Sequence, residues 1–520
     1  MMVDITITKL NDTYIRVVCA ETHIEYDIQD RFSFEVENSK HDPRVKAGKW
    51  DGIKRLYNRM HKRMYTGLLF ELLKFIKKRG YTYSMSDDLI PKSFIEMSDI
   101  ENVVRELIKP HDKGNPIDLY DYQYNAVHYM LNSSRSICLA STSAGKSLMI
   151  YTAIRMYQLV DGMEGKPIII VVPSKMLVEQ LYSDFENYST HSNQNWHVKS
   201  NCQRFSGDHK GPIKKQVVIT TWQSLKNIPS YMISDAGAIF VDEAHTVKGP
   251  VLASFLELAV NCSVRHGLTG TLNGMESDEL AAQGLLGPSK VIVTSRETIN
   301  AGRATDVTVN MMILDYDLDT KRRYSADQMT VGIPSQKYNA EVNFINNLEC
   351  RKTLINDIAK NLKGNTIVLF DRVESYGIKL YEEMRKKHTN TFLIVGDVDL
   401  DDRVEIKNLL ETVDDAIVFA TSKIMSTGIS IKNLHNIIFA SSSKSVIHIL
   451  QSIGRLMRLH ESKPMAYLVD IVDKLDHKGR ANFTLNHCEE RIKYYSKEKY
   501  KVNFFTKKMT EPHPGSVTLV

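Results

Sequence analysis

Along most of this chain, short runs of β-branched and aliphatic residues recur between longer stretches whose apolar positions return every three or four residues. The runs are SICLA (136–140), IIIVVP (168–173), VVITT (217–221), AIFVDE (238–243) and HGLTGT (266–271). Such runs lack polar alternation, so they predict strands buried on both faces, and the helical stretches between them predict a parallel sheet with helices on each side. After a break near residue 302 the rhythm resumes in TIVLF (366–370), TFLIVG (391–396), AIVFAT (416–421), NIIFA (436–440) and YLVDIV (467–472). Two tandem α/β units are therefore expected, at 109–302 and 303–475. The first 108 residues read differently. DITITKL (4–10), YIRVVCA (14–20) and FSFEV (32–36) are short β-prone runs, and TGLLFELLKFIKKRG (66–80) is an amphipathic helix ended by Gly80. This predicts a small α+β domain, with KPHDKGNPI (109–117) as a polar linker after it. Residues 476–520 are polar, basic and aromatic, with a helix expected around EERIKYYSKEKY (489–500).

Composition changes this picture little. The chain has 520 residues, 42% of them hydrophobic, and a mean hydropathy of −0.27. No apolar run approaches the ~18–20 residues that span a bilayer, and MMVDITITKLNDTY lacks the basic and apolar regions of a signal peptide. Cys19, Cys138, Cys202, Cys262, Cys350 and Cys488 are widely spaced and predict free, buried thiols in a reducing cytosol. Charge does change the picture. The net charge is only +5, yet residues 40–79 hold 13 Lys/Arg against three acids, a local excess of +10. Such a cluster is either the footprint of a polyanion or a solvated basic face. Within it, Arg44, Lys46, Lys49, Trp50, Lys54 and Arg55 combine cations with an aromatic suited to backbone contact and stacking.

The clearest chemistry lies in LASTSAGKS (139–147), which follows an apolar run and opens a helical stretch. Ala140 stands where a phosphate-binding loop carries its first glycine, so the segment alone reads as such a loop or as a chance helix cap. In the first reading Ser141, Thr142, Ser143, Ala144 and Gly145 keep bulk away from the phosphates. Lys146 reaches the β/γ-phosphates, and Ser147 holds Mg²⁺. Asp242 and Glu243 end a later apolar run, where open α/β sheets bind ligands. Asp242 suits a second Mg²⁺ ligand, and Glu243 suits a group that orients or deprotonates water.

With these two motifs in order, the chain resembles a superfamily 2 helicase. The resemblance implies two RecA-like lobes behind the small N-terminal domain. LYDYQ (119–123) resembles the Q motif, with Gln123 implied to read adenine. VVPSKMLVEQ (171–180) and ITTWQSL (219–225) resemble strand-contacting motifs, and GLTGT (267–271) stands at motif III, with Thr269 and Thr271 flanking a glycine. ATSKIMSTGISI (420–431) resembles motif V, with Thr427 and Gly428, and QSIGRLMR (451–458) resembles motif VI. Gln451, Arg455 and Arg458 share one helix face, and the resemblance implies that the arginines reach the γ-phosphate. His245 is read as a γ-phosphate or interlobe contact. Pro173, Ser174, Lys175, Thr220, Thr221, Trp222, Thr421 and Ser422 occupy loops that grip nucleic-acid phosphates in this family. Trp222 suits either base stacking or burial.

The basic segment RFSFEVENSKHDPRVKAGKWDGIKRLYNR (31–59), with STGISIKNLH and QSIGRLMR, further resembles the phage recombination helicases. That implies ATP and Mg²⁺ as cofactors. It implies branched DNA as partner: Holliday junctions, stalled forks and R-loops in recombination, repair and replication. It also implies 3′→5′ movement, a monomer in a host bacterial cytoplasm, and recombination or single-strand-binding proteins as further partners. An RNA helicase or hybrid remodeller with the same core is the alternative. Deletion of residues 1–100 is expected to weaken junction binding more than ATPase activity.

Overall fold

The computed structural model describes residues 3–36, 39–90, 94–159, 163–191, 196–207, 209–270, 276–396, 408–422, 431–441, 446–476 and 479–512. They form two compact units, 1–293 and 294–520.

The first unit opens with a five-stranded sheet in the order Tyr57–Asn58, Arg63–Tyr65, Tyr14–Cys19, Ile5–Lys9, Tyr83–Met85. Alternation explains its one-sided burial: Ile5, Ile7, Ile15 and Val17 point inward onto helices Thr22–Arg31 and Leu69–Arg79. The second helix stops at Gly80, whose φ of 77° only glycine adopts cheaply. FSFEV contributes Ser33–Glu35, which leaves this sheet and pairs antiparallel with Ile53–Arg55. Arg44, Lys46, Lys49 and Trp50 thus lie in the connection between these two strands, which includes the short helix Pro43–Lys46, while Lys54 and Arg55 lie on the second strand.

This domain is seated on the next one. Leu280 and Ala281, from helix Glu276–Leu286, complete its core. A Cβ at Gly67 would strike the carbonyl oxygen of Gln283, and one at Gly284 would meet Tyr65. Tyr65 donates to Glu257 Oε1 at 2.5 Å, the Asp12 N–H donates to Val260 at 2.8 Å, and Arg31 pairs with Glu276 at 2.9 Å.

The seven strands of the following sheet are all parallel, in the order Cys202–Phe205, Val217–Thr221, Ile168–Val172, Ala238–Asp242, Val264–Thr269, Arg135–Ala140, Ser289–Val293. Ile168, Ile170, Val172 and Phe240 pack on one side and Ile169, Val171, Ile239 and Val241 on the other, which is why the runs are continuously apolar. Helix Met97–Val103 and the π-turn Val104–Ile108 bury Ile100, Val104 and Ile108 in this core, so these residues pack with the parallel sheet and not with the N-terminal one.

The second unit repeats the plan, with parallel strands in the order Thr391–Ile394, Ile417–Thr421, Thr366–Phe370, Asn436–Phe439, Met465–Lys474, Asp306–Tyr316, Lys501–Met509. Its first helix, Ser295–Asn300, lies just before the break expected near 302 and is closed by a Thr294/Glu297 capping box. The expected tail helix spans Phe483–Lys497, and Lys501–Met509 adds an edge strand to the sheet. The tail packs through Tyr495 and Tyr500, both buried. All six cysteines are free; Cys19 and Cys350 are half-buried, against the expectation that all are buried. No helix among the described residues is long and apolar enough to cross a membrane.

Candidate nucleotide and nucleic-acid site

The loop 141–145 joins strand Arg135–Ala140 to helix Lys146–Tyr157 at the carboxyl edge of the first parallel sheet. Ser143 (φ 71°) and Gly145 (φ 78°) turn it through left-handed backbone, which aims the helix N-terminus back over the strand ends. The first N–H groups of that helix, those of Lys146 and Ser147 among them, have no carbonyl within the helix to reach. A side chain at Gly145 would collide with Nε2 of Gln123, so this position must be glycine; Ala140 is buried in the strand, where no such demand exists. That difference explains why the missing first glycine is tolerated. Lys146 Nζ lies 3.4 Å from the Ala140 carbonyl, across the concave side of the loop. Ser141 Oγ is buried without a partner in the same loop.

Gln123 is buried beneath the loop. Its Oε1 accepts from the Tyr120 N–H at 2.9 Å and its Nε2 donates to the Ala144 carbonyl at 3.0 Å. In this structure it braces the loop, and one Nε2 hydrogen remains for any other contact. Ser147 Oγ stands 3.0 Å from the Tyr188 hydroxyl; with Tyr188 as donor, Ser147 keeps a lone pair for a cation.

Sheet register brings the acidic pair to the loop. Asp242 lies beside Leu268 and Thr269 beside Leu139, so the strand carrying Thr269 separates the loop strand from the Asp-Glu strand. Glu243 adopts φ 57° and ψ 56°, a conformation that non-glycine residues rarely take and that commonly marks functional strain. The turn aims its carboxylate at Thr269 Oγ1 (3.1 Å) and His245 Nδ1 (3.2 Å), and His245 Nδ1 also lies 3.0 Å from Thr269 Oγ1. Burial works against the charge on Glu243, but hydrogen bonds from His245 and Thr269 and the charge of Lys146 hold it well below the usual carboxylate range. Asp242 moves the other way, pushed up to about 6 by burial and by the Glu243 charge. Two adjacent half-buried carboxylates near one lysine lack positive charge, which is the electrostatic condition a divalent cation satisfies. Asp242 and Ser147 therefore fit Mg²⁺.

Three comparisons bear on what this site belongs to. Residues 4–86 match the model "DNA helicase UvsW, N-terminal", residues 116–274 match "Type III restriction enzyme, res subunit", and residues 348–460 match "Helicase conserved C-terminal domain". The chain is 30% identical over 503 residues to the ATP-dependent DNA helicase UvsW of Enterobacteria phage T4, covering 94% of this chain and 96% of that one. The chain belongs to the UvsW family of superfamily 2 helicases. The crystal structure of T4 UvsW superposes with a TM-score of 0.51 at 27% identity, covering 98% of this chain and 99% of that one. A probable helicase of Escherichia phage T5, D10, is 24% identical over 52% of this chain and 56% of its own length.

Against this UvsW-type frame, the expected nucleic-acid residues separate. Ser174 caps helix Lys175–Tyr188 by accepting from the Leu177 N–H at 3.4 Å, with Pro173 half-buried and Lys175 exposed. Thr220 and Thr221 are buried and engaged locally, Thr220 Oγ1 with the Thr221 carbonyl (3.4 Å) and Thr221 Oγ1 with Ser224 (3.1 Å). The loop shows Trp222, Gln223 and Lys226 to solvent instead; Trp222 is 38% exposed, which removes the burial alternative. In the connection between the two ribbon strands Arg44 lies over Trp50 at 4.8 Å and pairs with Asp42 at 2.9 Å, and Arg55 at the end of the second strand pairs with Asp51 at 2.5 Å. Lys46 and Lys49 are exposed and Lys54 is half-buried. In the second unit Thr421 and Ser422 are half-buried, as are Arg455 and Arg458 around the end of helix Val446–Leu456. Thr271, Thr427, Gly428 and the Gln451 side chain lie outside the described residues. Sequence reading missed Tyr188 and the bracing role of Gln123, because neither carries a motif signal at its own position.

Proposed function

We propose that this protein is an ATP-driven DNA motor that migrates branched DNA, regressing stalled forks, moving Holliday junctions and displacing RNA from R-loops, with 3′→5′ translocation. The observation that carries this reading is the match to T4 UvsW along nearly the whole length, N-terminal domain included. A chain that keeps Lys146, Asp242, Glu243, Arg455 and Arg458 also keeps the residue types that hydrolysis requires.

In this reading the loop 141–147 holds the phosphates of ATP on backbone N–H groups, and Lys146 leaves the Ala140 carbonyl for the β/γ-phosphates. Gln123 contacts adenine through its remaining Nε2 hydrogen. Ser147 and Asp242 would hold Mg²⁺, which when bound neutralises charge between the β- and γ-phosphates. Glu243, kept ionised by His245 and Thr269, orients the attacking water and accepts its proton. Arg455 and Arg458 stabilise the charge that develops on the γ-phosphoryl oxygens. The exposed groups at Lys175, Trp222 and the 44–55 segment contact the DNA backbone and bases without reading sequence. Breaking duplex costs ~1.4 kcal/mol per step on average, and branch migration re-forms about as many pairs as it breaks. The motor therefore needs to bias direction more than to supply melting energy.

An unwinding assay on Holliday junctions, forks, R-loops and plain duplex, with Lys146→Ala as control, tests this. Branched substrates should be processed in preference to plain duplex, and Lys146→Ala should abolish DNA-stimulated ATP hydrolysis. Undiminished turnover in the variant would refute the assigned site; equal rates on all substrates would refute the branched-DNA role.

A further inference from the structure

The last four carbonyls of an α-helix have no partner within it. At the end of helix Val446–Leu456, which carries motif VI, three successive carbonyls are held from outside. The Leu456 carbonyl accepts from Lys463 Nζ at 3.0 Å, the Met457 carbonyl from the Thr305 N–H at 2.8 Å, and the Arg458 carbonyl from Thr305 Oγ1 at 3.2 Å. These three peptides lie between and beside Arg455 and Arg458, so they set the backbone from which both guanidinium groups extend. Lys463 is 3% exposed, and its ammonium also donates to the Lys432 carbonyl at 3.0 Å. The N–H of Lys432 in turn donates to Glu411 Oε1 at 2.7 Å. Lys432 follows motif V directly, and Thr305 precedes the strand Asp306–Tyr316, so one ammonium and one threonine tie three elements together.

A buried lysine is an expensive way to satisfy two carbonyls, since an uncharged donor would satisfy them with less desolvation. Among the described residues no carboxylate lies within ion-pair distance of Lys463. Its charge faces Arg458 and Glu411, with His435 nearby. What the ammonium gains is the negative end of the helix dipole, where a cation is favourable only at the last turn.

We propose that Lys463 and Thr305, which belong to no helicase motif, are positioning residues that fix the end of the motif VI helix and thereby the reach of Arg455 and Arg458. The proposal rests on reading those arginines as the γ-phosphate pair. It gives a readout that simple structural support would not. Burial, with the repulsion of Arg458, pushes Lys463 down to about 8. Its ammonium is present below that pH and is lost as pH rises through it, whereas an arginine at this position stays charged.

The test measures DNA-stimulated ATP turnover of the full chain against ATP concentration from about pH 6.5 to about pH 9.5. The variants are Lys463→Met, Lys463→Arg, Thr305→Val and Arg455→Ala. Misplacing a transition-state group by about 1 Å costs up to ~10²-fold. Lys463→Met should therefore lower kcat by about 10- to 100-fold at little cost in KM, with Thr305→Val acting in the same direction. Wild-type kcat should fall above about pH 8, and Lys463→Arg should flatten that fall. Should Lys463→Met fail to fold, Thr305→Val, which keeps its N–H bond to Met457, and the Lys463→Arg profile decide the matter. Wild-type kcat in both Lys463→Met and Thr305→Val beside an inactive Arg455→Ala would overturn the positioning role alone. An alkaline limb identical in wild type and Lys463→Arg would overturn it too. Full turnover in Arg455→Ala would instead overturn the underlying reading of the arginines.

Discussion

Glu243 shows how a single residue concentrates the chemistry of this fold. Left-handed backbone turns it away from the line of its strand and onto Thr269 and His245, and both hydrogen bonds favour its charged form. Glu243→Gln keeps the shape and removes the carboxylate proposed to accept the water's proton; it should lower kcat by ~10²–10⁴-fold while leaving nucleotide affinity within a few fold, as read by single-turnover hydrolysis and titration with a labelled nucleotide. Deeper in the same lobe, His266 sets an acid limit. Ser136 Oγ lies 2.8 Å from its Nδ1 and Tyr157 OH lies 2.8 Å from its Nε2. Tyr157 donates its own hydrogen to the Met130 carbonyl, so Nε2 carries the imidazole proton and Nδ1 accepts from Ser136. Burial, aided by Arg135, pushes this histidine down to about 3. The unfolded chain takes up a proton near pH 6.5 that the folded one refuses, so the stability is whole above that pH and drains as pH falls from there toward 3. At pH 5 the loss is about 2 kcal/mol. The drop in unfolding free energy between about pH 7.5 and pH 5 should shrink by about that amount in His266→Gln, measured by denaturant titration.

Elements in the second unit are joined by carboxylates that the hydrophobic pattern does not announce. The strand Met465–Lys474 is almost wholly buried yet carries Asp470 and Asp473, which alternation sends to opposite faces of the sheet. On one face Arg491 and Tyr495 close on Asp470, at 2.8, 2.9 and 2.9 Å; on the other Arg351 and Tyr316 close on Asp473, at 2.7, 3.0 and 2.8 Å. Glu341 caps a helix that lies far away in sequence. It is fully buried and accepts from Tyr324 OH (2.6 Å), Asn482 Nδ2 (2.9 Å) and the N–H groups of Phe483 (2.9 Å) and Thr484 (2.7 Å), the latter pair at the start of Phe483–Lys497. Acceptors at a helix N-terminus are favoured by its unpaired N–H groups and dipole. Glu341→Gln puts an NH₂ against donors that need an acceptor and should cost about 3 kcal/mol, seen as a lower thermal midpoint of the second unit. This cap and the Arg491–Asp470 pair are what turn a polar tail into part of the lobe, while Arg351–Asp473 ties helix Glu349–Asn361 to the same strand.

At the scale of the whole molecule, the N-terminal domain is a built-in part of the first unit. Arg135 and Arg265 begin two neighbouring strands of the parallel sheet, and both are buried. Arg135 donates to the carbonyls of Asp12 and, at 3.2 Å, Cys262; Arg265 donates to Thr13 Oγ1 at 2.7 Å and to Leu256 at 2.9 Å. Residues 10–13 of the N-terminal hairpin thus close off two guanidinium groups that would otherwise lose acceptors. The opposite ends of those strands carry the phosphate loop and Thr269. Removing residues 1–100 therefore strips acceptors from Arg135 and Arg265 and takes Ile100 from the core, so basal ATPase and stability should fall together with junction binding. A finer probe is Gly67→Val, which drives a side chain into the Gln283 carbonyl. It should lower the thermal midpoint of the first unit, by the several degrees that a ~2–3 kcal/mol packing loss produces, without touching a single motif residue.

How much of this was written in the chain follows from range. The parallel strands, the helix ended by Gly80, the phosphate loop and the Asp-Glu pair depend on local pattern: period, continuity of apolar residues, and glycine where φ turns positive. Each of those signals survives in a linear reading, so two parallel-sheet lobes and a basic front domain were legible in the chain, together with the residue types of the loop and the acidic pair. The folded chain was needed to show that Gln123 braces the loop, that Thr220 and Thr221 turn inward while Trp222 faces water, that Arg44 and Arg55 meet carboxylates of their own segment, and that residues 97–108 and 501–509 serve the two sheets. Those outcomes depend on which distant group arrives within about 3 Å of a polar atom. A buried donor or acceptor must find a partner wherever the fold supplies one, and no periodicity in the sequence records which it will be.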